Sequence, residues 1–168
     1  MDAIAALITW PASRLSDRIG RRPLIVAAGL CGAVGTLVLV FSHYMWVPEG
    51  LLSPLGHFLK VPELAAQATL TGLVIGVGLG VFFSVDWAFI QDIIPPNEGG
   101  LYMGFSNIAT AGAGIIAVFI GGPILDTFNA GPRLLGLPGG FPVVFSLFAV
   151  WFIVGSLSIL KVPERRTT

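Results

Sequence analysis

Four apolar stretches, each long enough to cross a lipid bilayer, limit what this chain can fold into. They cover residues 23–42, 67–94, 101–125 and 141–160, and a membrane-spanning helix needs about 20 mostly apolar residues. An isolated strand cannot satisfy its backbone hydrogen bonds in lipid, so all four stretches are predicted to be helices. Charged residues make up only 11% of the sequence, against about 25% in soluble domains. The sequence therefore predicts an all-α, polytopic helical membrane protein with one transmembrane bundle over residues 1–168.

A shorter apolar segment precedes these four spans. It covers residues 3–11, about half of the length that a span requires. We interpret it as a partial helix within residues 1–12, the end of a helix whose outer part is missing. A short segment lying at the membrane interface is the alternative.

The basic residues predict how the chain crosses the membrane. Four arginines lie between residues 13 and 22, and Lys161, Arg165 and Arg166 lie in the C-terminal tail. Lys and Arg accumulate on the cytoplasmic side of membrane proteins, and the four spans between these two groups place both on one side. We therefore predict a multi-pass protein of the cell (inner or plasma) membrane with its C-terminus in the cytoplasm. By alternation, the short loop at residues 95–100 lies on that side as well.

The stretch SRLSDRIGRRP, residues 13–23, contains the pattern D-R-x-G-R-R. Gly20 permits a tight turn between two helices, and charges at helix ends can form ion pairs and interact with helix dipoles. Asp92, near the end of the second span, is level with this loop, so we expect it to pair with Arg21 or Arg18. A solvated charge at a helix end is the alternative for Asp92. The predicted cytoplasmic gate comprises Asp17, Arg18, Gly20, Arg21, Arg22 and Asp92.

This stretch resembles the loop motif of the major facilitator superfamily, G-x-L-x-D-R-x-G-R-R. Leu15 and the whole D-R-x-G-R-R pattern match, while Ser13 replaces the first glycine. Four spans follow the motif, which is similar to its second copy in that family, after helix eight. The stretch PPNEGGLYMGFSNIATAGAG is also similar to the family's loop between helices ten and eleven. The resemblance implies that the chain corresponds to the end of helix eight and helices nine to twelve of a twelve-helix transporter.

Polar residues are concentrated in the second and third spans. These two are therefore expected to face protein or a hydrated cavity, and the first and fourth are expected to be lipid-facing supports. The resemblance implies the same division, with helices ten and eleven near the transport pathway.

Asp86 lies in the second span, about 12 Å from its cytoplasmic end at 1.5 Å per residue. A charged carboxylate at such depth costs about 2.5–3.5 kcal/mol on insertion scales, and ionisable residues inside membranes are usually functional. The short loop at 95–100 predicts that the second and third spans are neighbours, with Asn107 and Thr110 at a similar depth. We therefore interpret Asp86, Asn107 and Thr110 as a site for substrate binding or proton coupling. A structural carboxylate paired with a residue in the missing part is the alternative for Asp86.

Gly72, Gly76 and Gly80 recur at every fourth position of the second span. Small residues at this spacing allow close helix packing, although membrane helices are rich in glycine in general. In the third span, Gly121-Gly122-Pro123 is expected to bend or end the helix.

Several functional classes are not expected. The net charge is zero, so there is no basic surface for nucleic acid. The single cysteine, Cys31, excludes a cysteine-cluster metal site, and the histidines of residues 43–66 match no metal-ligand spacing. No enzyme motif is found, so we predict no catalytic residue, no cofactor and no metal.

The favoured interpretation is part of a secondary active transporter that moves a small solute by alternating access, with proton coupling as an option. Its expected partners are a small-molecule substrate, the lipid bilayer and the missing N-terminal helices of the same transporter. Two alternatives remain open: a small exporter that works as a homodimer, and a membrane scaffold or assembly factor that transports nothing.

Overall fold

The computed structural model of the chain describes residues 2–95, 97–131, 133, 136–137 and 139–162, with side chains from residue 7 onward. Arg165 and Arg166 of the predicted basic tail lie outside the described residues. The helices are α1 (Asp2–Ile19), α2 (Arg21–Val40), α3 (Glu49–Leu59), α4 (Glu63–Ile93), α5 (Gly99–Ala130) and α6 (Phe141–Ile159). Within the described part of the chain, α2, α4, α5 and α6 are long and apolar enough to cross a membrane. The predicted all-α polytopic fold is confirmed.

Helix α1 is longer than the predicted partial helix. The segment at residues 13–19, expected to be a loop, continues the helix to Ile19. Its polar side chains find local partners, because the Ser13 hydroxyl donates to the Trp10 carbonyl at 2.9 Å and the Arg14 guanidinium lies 4.1 Å from the centre of the Trp10 ring. The turn is confined to Gly20, whose φ of 95° is a left-handed conformation that glycine adopts without strain.

Helix α2 is the central helix of the bundle, which corrects the expectation that it is a lipid-facing support. It packs extensively against both α4 and α6. Small residues permit this close approach: a Cβ atom at Gly29 would meet the Ser156 hydroxyl, and one at Gly32 would lie 2.8 Å from the Phe152 ring. The expectation was wrong because it counted polar side chains, whereas close contact between membrane helices depends mainly on small ones.

Helix α4 packs against other helices on two of its faces. Gly78 faces α2, since a Cβ atom there would lie 2.9 Å from the Ala28 carbonyl oxygen. Gly76 and Gly80 are two residues away, about 200° around the helix, and both are buried, as is Gly72. Helix α1 packs extensively against α4 and only slightly against α2. Helix α4 therefore lies between α1 and α2.

Helix α5 is set apart from α4, which corrects the expectation that the two are packed neighbours. No residue of α5 is buried, and its main contact is with α6. Ile94 ends α4 in an extended conformation, as is usual before proline, so the chain leaves α4 before it turns into α5. The Gly121-Gly122-Pro123 sequence does not end the helix either, which continues to Ala130.

The loop between α2 and α4 contains a helix, α3, that the sequence analysis did not predict. Gln67, fully buried, holds the start of this loop. Its Oε1 accepts hydrogen bonds from the backbone N–H groups of Trp46 (2.9 Å) and Val47 (3.0 Å), and its Nε2 donates to the Tyr44 carbonyl (2.8 Å). The Nε2 group also donates to the Ser42 carbonyl at 3.5 Å, so one amide side chain bonds to four backbone groups where α2 has ended.

Candidate functional site

Three helix ends meet on the side of the arginine-rich motif. Leu24 and Ile25, in the first turns of α2, form a buried cluster with Val85 and Phe89 of α4, and Ile159 and Val162 pack against it. The start of α2 and the ends of α4 and α6 are thus at one end of the bundle. The motif and the end of α6 therefore lie at the same end of the bundle.

Arg21 and Asp92 form an ion pair at this end. Arg21 Nη1 lies 2.7 Å from Asp92 Oδ2, and the two side chains are only 25% and 26% exposed. The same guanidinium donates a hydrogen bond to the backbone carbonyl of Ala88, one turn before Asp92. The predicted contact is present and is made by Arg21 rather than Arg18.

The other members of the predicted gate surround this pair without joining it. Asp17 and Arg18, in the last turn of α1, are exposed, and the structure records no ion pair for either among the described residues. Arg22 is partly buried and has interactions of its own. The backbone N–H of Gly20 donates a hydrogen bond to the Ser16 carbonyl at 3.0 Å. Gly20 thus links the end of α1 to the start of α2.

Asp86 lines a cavity of about 410 Å³ between α2, α4 and α6. Aromatic side chains from two helices surround it, because Phe82 and Phe83 lie one turn before Asp86 on α4 and α6 contributes two more. The other side of the cavity is formed by small and aliphatic residues of α2. The residues of α4 and α6 that line the cavity include Phe82, Phe83, Asp86, Trp151, Phe152 and Ser156.

Asn107 and Thr110 are not brought to Asp86. Both lie on α5 and are exposed, and the Thr110 hydroxyl donates to the Ser106 carbonyl of its own helix at 3.0 Å. No residue of α5 is among the described residues that line the cavity. The three predicted site residues therefore do not form one cluster in this structure.

Comparison with known proteins identifies transporters. Over 160 residues, 95% of this chain, it is 29% identical to D-xylose-proton symporter-like 3, chloroplastic, of Arabidopsis thaliana. It is 32% identical over 108 residues, 62% of the chain, to sucrose transport protein SUT5 of Oryza sativa, and 35% identical over 91 residues, 51% of the chain, to the hexuronate transporter of Bacillus subtilis. The resemblance to the major facilitator superfamily is confirmed.

The match concerns only a part of each facilitator relative. The chain spans 24% of the Arabidopsis protein, 18% of the rice protein and 22% of the Bacillus protein. No protein-family profile and no solved structure matches the chain. The similarity therefore supports a membrane transport function.

Helix α6 contributes to the cavity of this facilitator-like chain, which corrects the expectation that it is a lipid-facing support. Trp151 and Phe152 bring two aromatic rings to the cavity that Asp86 lines. Their spacing to Gly155 and Ser156, four residues in each case, places a small residue beside each ring on one helix face. That pattern was visible in the sequence, but only the position of α2 and α4 makes it a cavity wall.

Proposed function

We propose that the chain forms the last helices of a major facilitator-type secondary transporter, which moves a small solute across the membrane by alternating access. The ion pair between Arg21 and Asp92 carries this proposal. It joins α2 to α4 at one end of the bundle, where a reversible contact favours a state that is closed on that side. The proposed function is transport and not catalysis.

The pair has the properties of a reversible latch. Arg21 contacts both the carboxylate of Asp92 and the Ala88 carbonyl, so the last turn of α4 is held by one side chain. A fully exposed pair contributes about 0–1 kcal/mol, and the partial burial seen here raises that contribution. A free energy of about 1–2 kcal/mol shifts a two-state equilibrium several-fold without locking it. We propose that this latch closes the cytoplasmic side.

Asp86 is the proposed carboxylate for solute binding or proton coupling. It lies well inside α4 and faces a cavity, and the described residues include no ion pair with it. A carboxylate in that position can bind a cationic group or take up a proton as the cavity changes sides. Proton coupling has further support in the name of the Arabidopsis relative, a D-xylose-proton symporter-like protein.

We propose that the transported solute is a small molecule. The names of the relatives refer to D-xylose, sucrose and hexuronate, which differ in size and charge.

Helix α5 supports the proposal that further helices complete the transporter. It exposes apolar side chains around its circumference, and none of its residues is buried. We propose that the missing N-terminal helices of the same transporter cover part of it. A second copy of this chain, as in a homodimeric exporter, is the alternative that the same observation favours.

Reconstitution into liposomes tests the proposal. The 168-residue chain is compared with a version extended by the preceding coding sequence, under a pH gradient and with a panel of solutes. We expect saturable uptake only for the extended protein. Uptake by the 168 residues alone, together with a dimeric mass in detergent, supports the homodimeric exporter, and no uptake by either supports a scaffold.

A further inference from the structure

We propose that the cavity around Asp86 binds an amphipathic organic cation with a single positive charge. This inference deepens the proposed function, because it names the solute class for the same site. Its basis is the combination of one unpaired carboxylate, several aromatic rings and few hydrogen-bonding groups.

The carboxylate of Asp86 has no positively charged partner among the described residues. Arg21, the basic residue at the start of α2 that contacts the end of α4, is engaged by Asp92 and the Ala88 carbonyl. No Lys, Arg or His is among the described residues that line the cavity. A negative charge in an apolar setting without a counter-ion favours binding of a cation.

Aromatic rings line the same cavity as the carboxylate and are open to a ligand. Trp151 is 61% exposed and Phe83 is 58% exposed, although both line the cavity. The rings of Phe82 and Phe83 are 5.8 Å apart in an edge-on arrangement, so their faces point in different directions. Aromatic faces attract cations, Trp most strongly, so these rings and the carboxylate favour the same kind of ligand.

Hydrogen-bonding groups in the cavity are few. Apart from Asp86, the polar side-chain groups in the described lining are the Trp151 indole N–H and the Ser156 hydroxyl. The Ser156 hydroxyl already donates to the Phe152 carbonyl at 2.8 Å. A sugar needs a partner for most of its hydroxyls, because unpaired buried polar groups are costly. The cavity therefore suits an apolar body with one charge better than a sugar.

The size of the cavity agrees with a small organic ligand. Its volume of about 410 Å³ falls within the range of about 300–1,000 Å³ that ligand pockets occupy. Its walls come from α2, α4 and α6, and α2 packs against both of the others. The cavity is therefore present in this chain, and binding to it can be measured without transport.

A binding assay with tritiated tetraphenylphosphonium tests the inference. The 168-residue protein is placed in nanodiscs of neutral lipid, and bound probe is measured by scintillation proximity. We expect saturable binding that unlabelled tetraphenylphosphonium displaces and that triphenylphosphine oxide, an uncharged aromatic compound, does not. Asp86→Asn should weaken binding at least about tenfold, and Asp86→Glu should retain most of it. Trp151→Leu should weaken binding about two- to fivefold through loss of the ring face.

Asp126→Asn is the matched control, because it removes the same charge from an exposed position on α5 and should bind like wild type. Equal affinity in wild type and Asp86→Asn, or no saturable binding by wild type, overturns the inference. Displacement of the probe by D-xylose or sucrose at lower concentrations than by other organic cations overturns it as well. Because the assay needs no transport, its failure is distinct from a failure of the liposome experiment.

Discussion

Arg21, the first residue of α2, lies 2.7 Å from Asp92 in the last turn of α4. The two residues are 71 positions apart in the chain, yet they meet because α2 and α4 pack side by side in opposite directions. Only one residue, Gly20, separates α2 from α1, so the ion pair acts on the junction of three helices.

Arg21→Gln and Asp92→Asn are each expected to destabilise the contact between α2 and α4. The double variant should be little worse than either single variant, with a coupling energy of about 0.5–2 kcal/mol, because both changes remove the same ion pair. Thermal or denaturant unfolding of the purified protein measures it. Arg18→Gln, an exposed arginine on α1, is the control and should change stability by less than about 0.5 kcal/mol. Strictly additive effects of the two single changes contradict the latch.

Gly78→Ala should destabilise the bundle by about 1–3 kcal/mol, because a new Cβ atom overpacks the contact. It would lie 2.9 Å from the backbone carbonyl oxygen of Ala28, which cannot move aside as a flexible side chain can. Gly104→Ala is the matched control, since no atom lies within 4 Å of its Cβ position on α5. That change should be neutral or stabilise the helix by about 0.5–1 kcal/mol. Similar unfolding midpoints for the two variants are incompatible with this packing.

Gln67→Leu should destabilise the loop between α2 and α4. It leaves the N–H groups of Trp46 and Val47 and the Tyr44 carbonyl without their partner, at a cost of about 1–3 kcal/mol for each group left buried. Faster hydrogen exchange or proteolysis within residues 43–66 reports the effect. Gln91→Leu, an exposed glutamine at the other end of α4, is expected to leave exchange in that loop unchanged.

The orientation in the membrane can be tested by cysteine labelling in a Cys31→Ser background. Leu15→Cys, at an exposed position in the arginine-rich motif, should not react with an impermeant reagent added to intact cells, because basic segments remain in the cytoplasm. His57→Cys, exposed on α3, should react. Labelling of Leu15→Cys alone reverses the predicted topology.

Asp86→Asn should abolish gradient-driven accumulation in a transport-competent form of the protein, while expression and folding stay close to normal. The amide keeps the shape of the side chain and removes the charge that binds a cation or a proton. Uptake across a range of pH values is the measurement. A poorly folded variant indicates a structural role, whereas normal accumulation with an unchanged pH profile ends the coupling hypothesis.

Most of the fold could be predicted from local properties of the chain. The four spans follow from apolar length, and the pairing of Asp92 with an arginine of the motif follows from counting residues to the same membrane edge. The cavity around Asp86 was predicted only in part. Asp86 itself stood out as a charge at depth, but Trp151 and Phe152 did not, because the apolar surroundings of α6 hide which side faces protein.

The sequence alone determined the properties that depend on near neighbours in the chain: the helical spans, the turn at Gly20 and the charges at the helix ends. Tertiary structure alone decided which helix faces meet. It placed α2 at the centre, set α5 apart from α4 and thereby separated Asn107 and Thr110 from Asp86. The physical reason is that lipid and apolar protein are similar environments for an apolar side chain, so hydrophobicity does not distinguish them. Shape decides instead, because Gly29, Gly32 and Gly78 allow close approach only where a neighbouring helix fits against them.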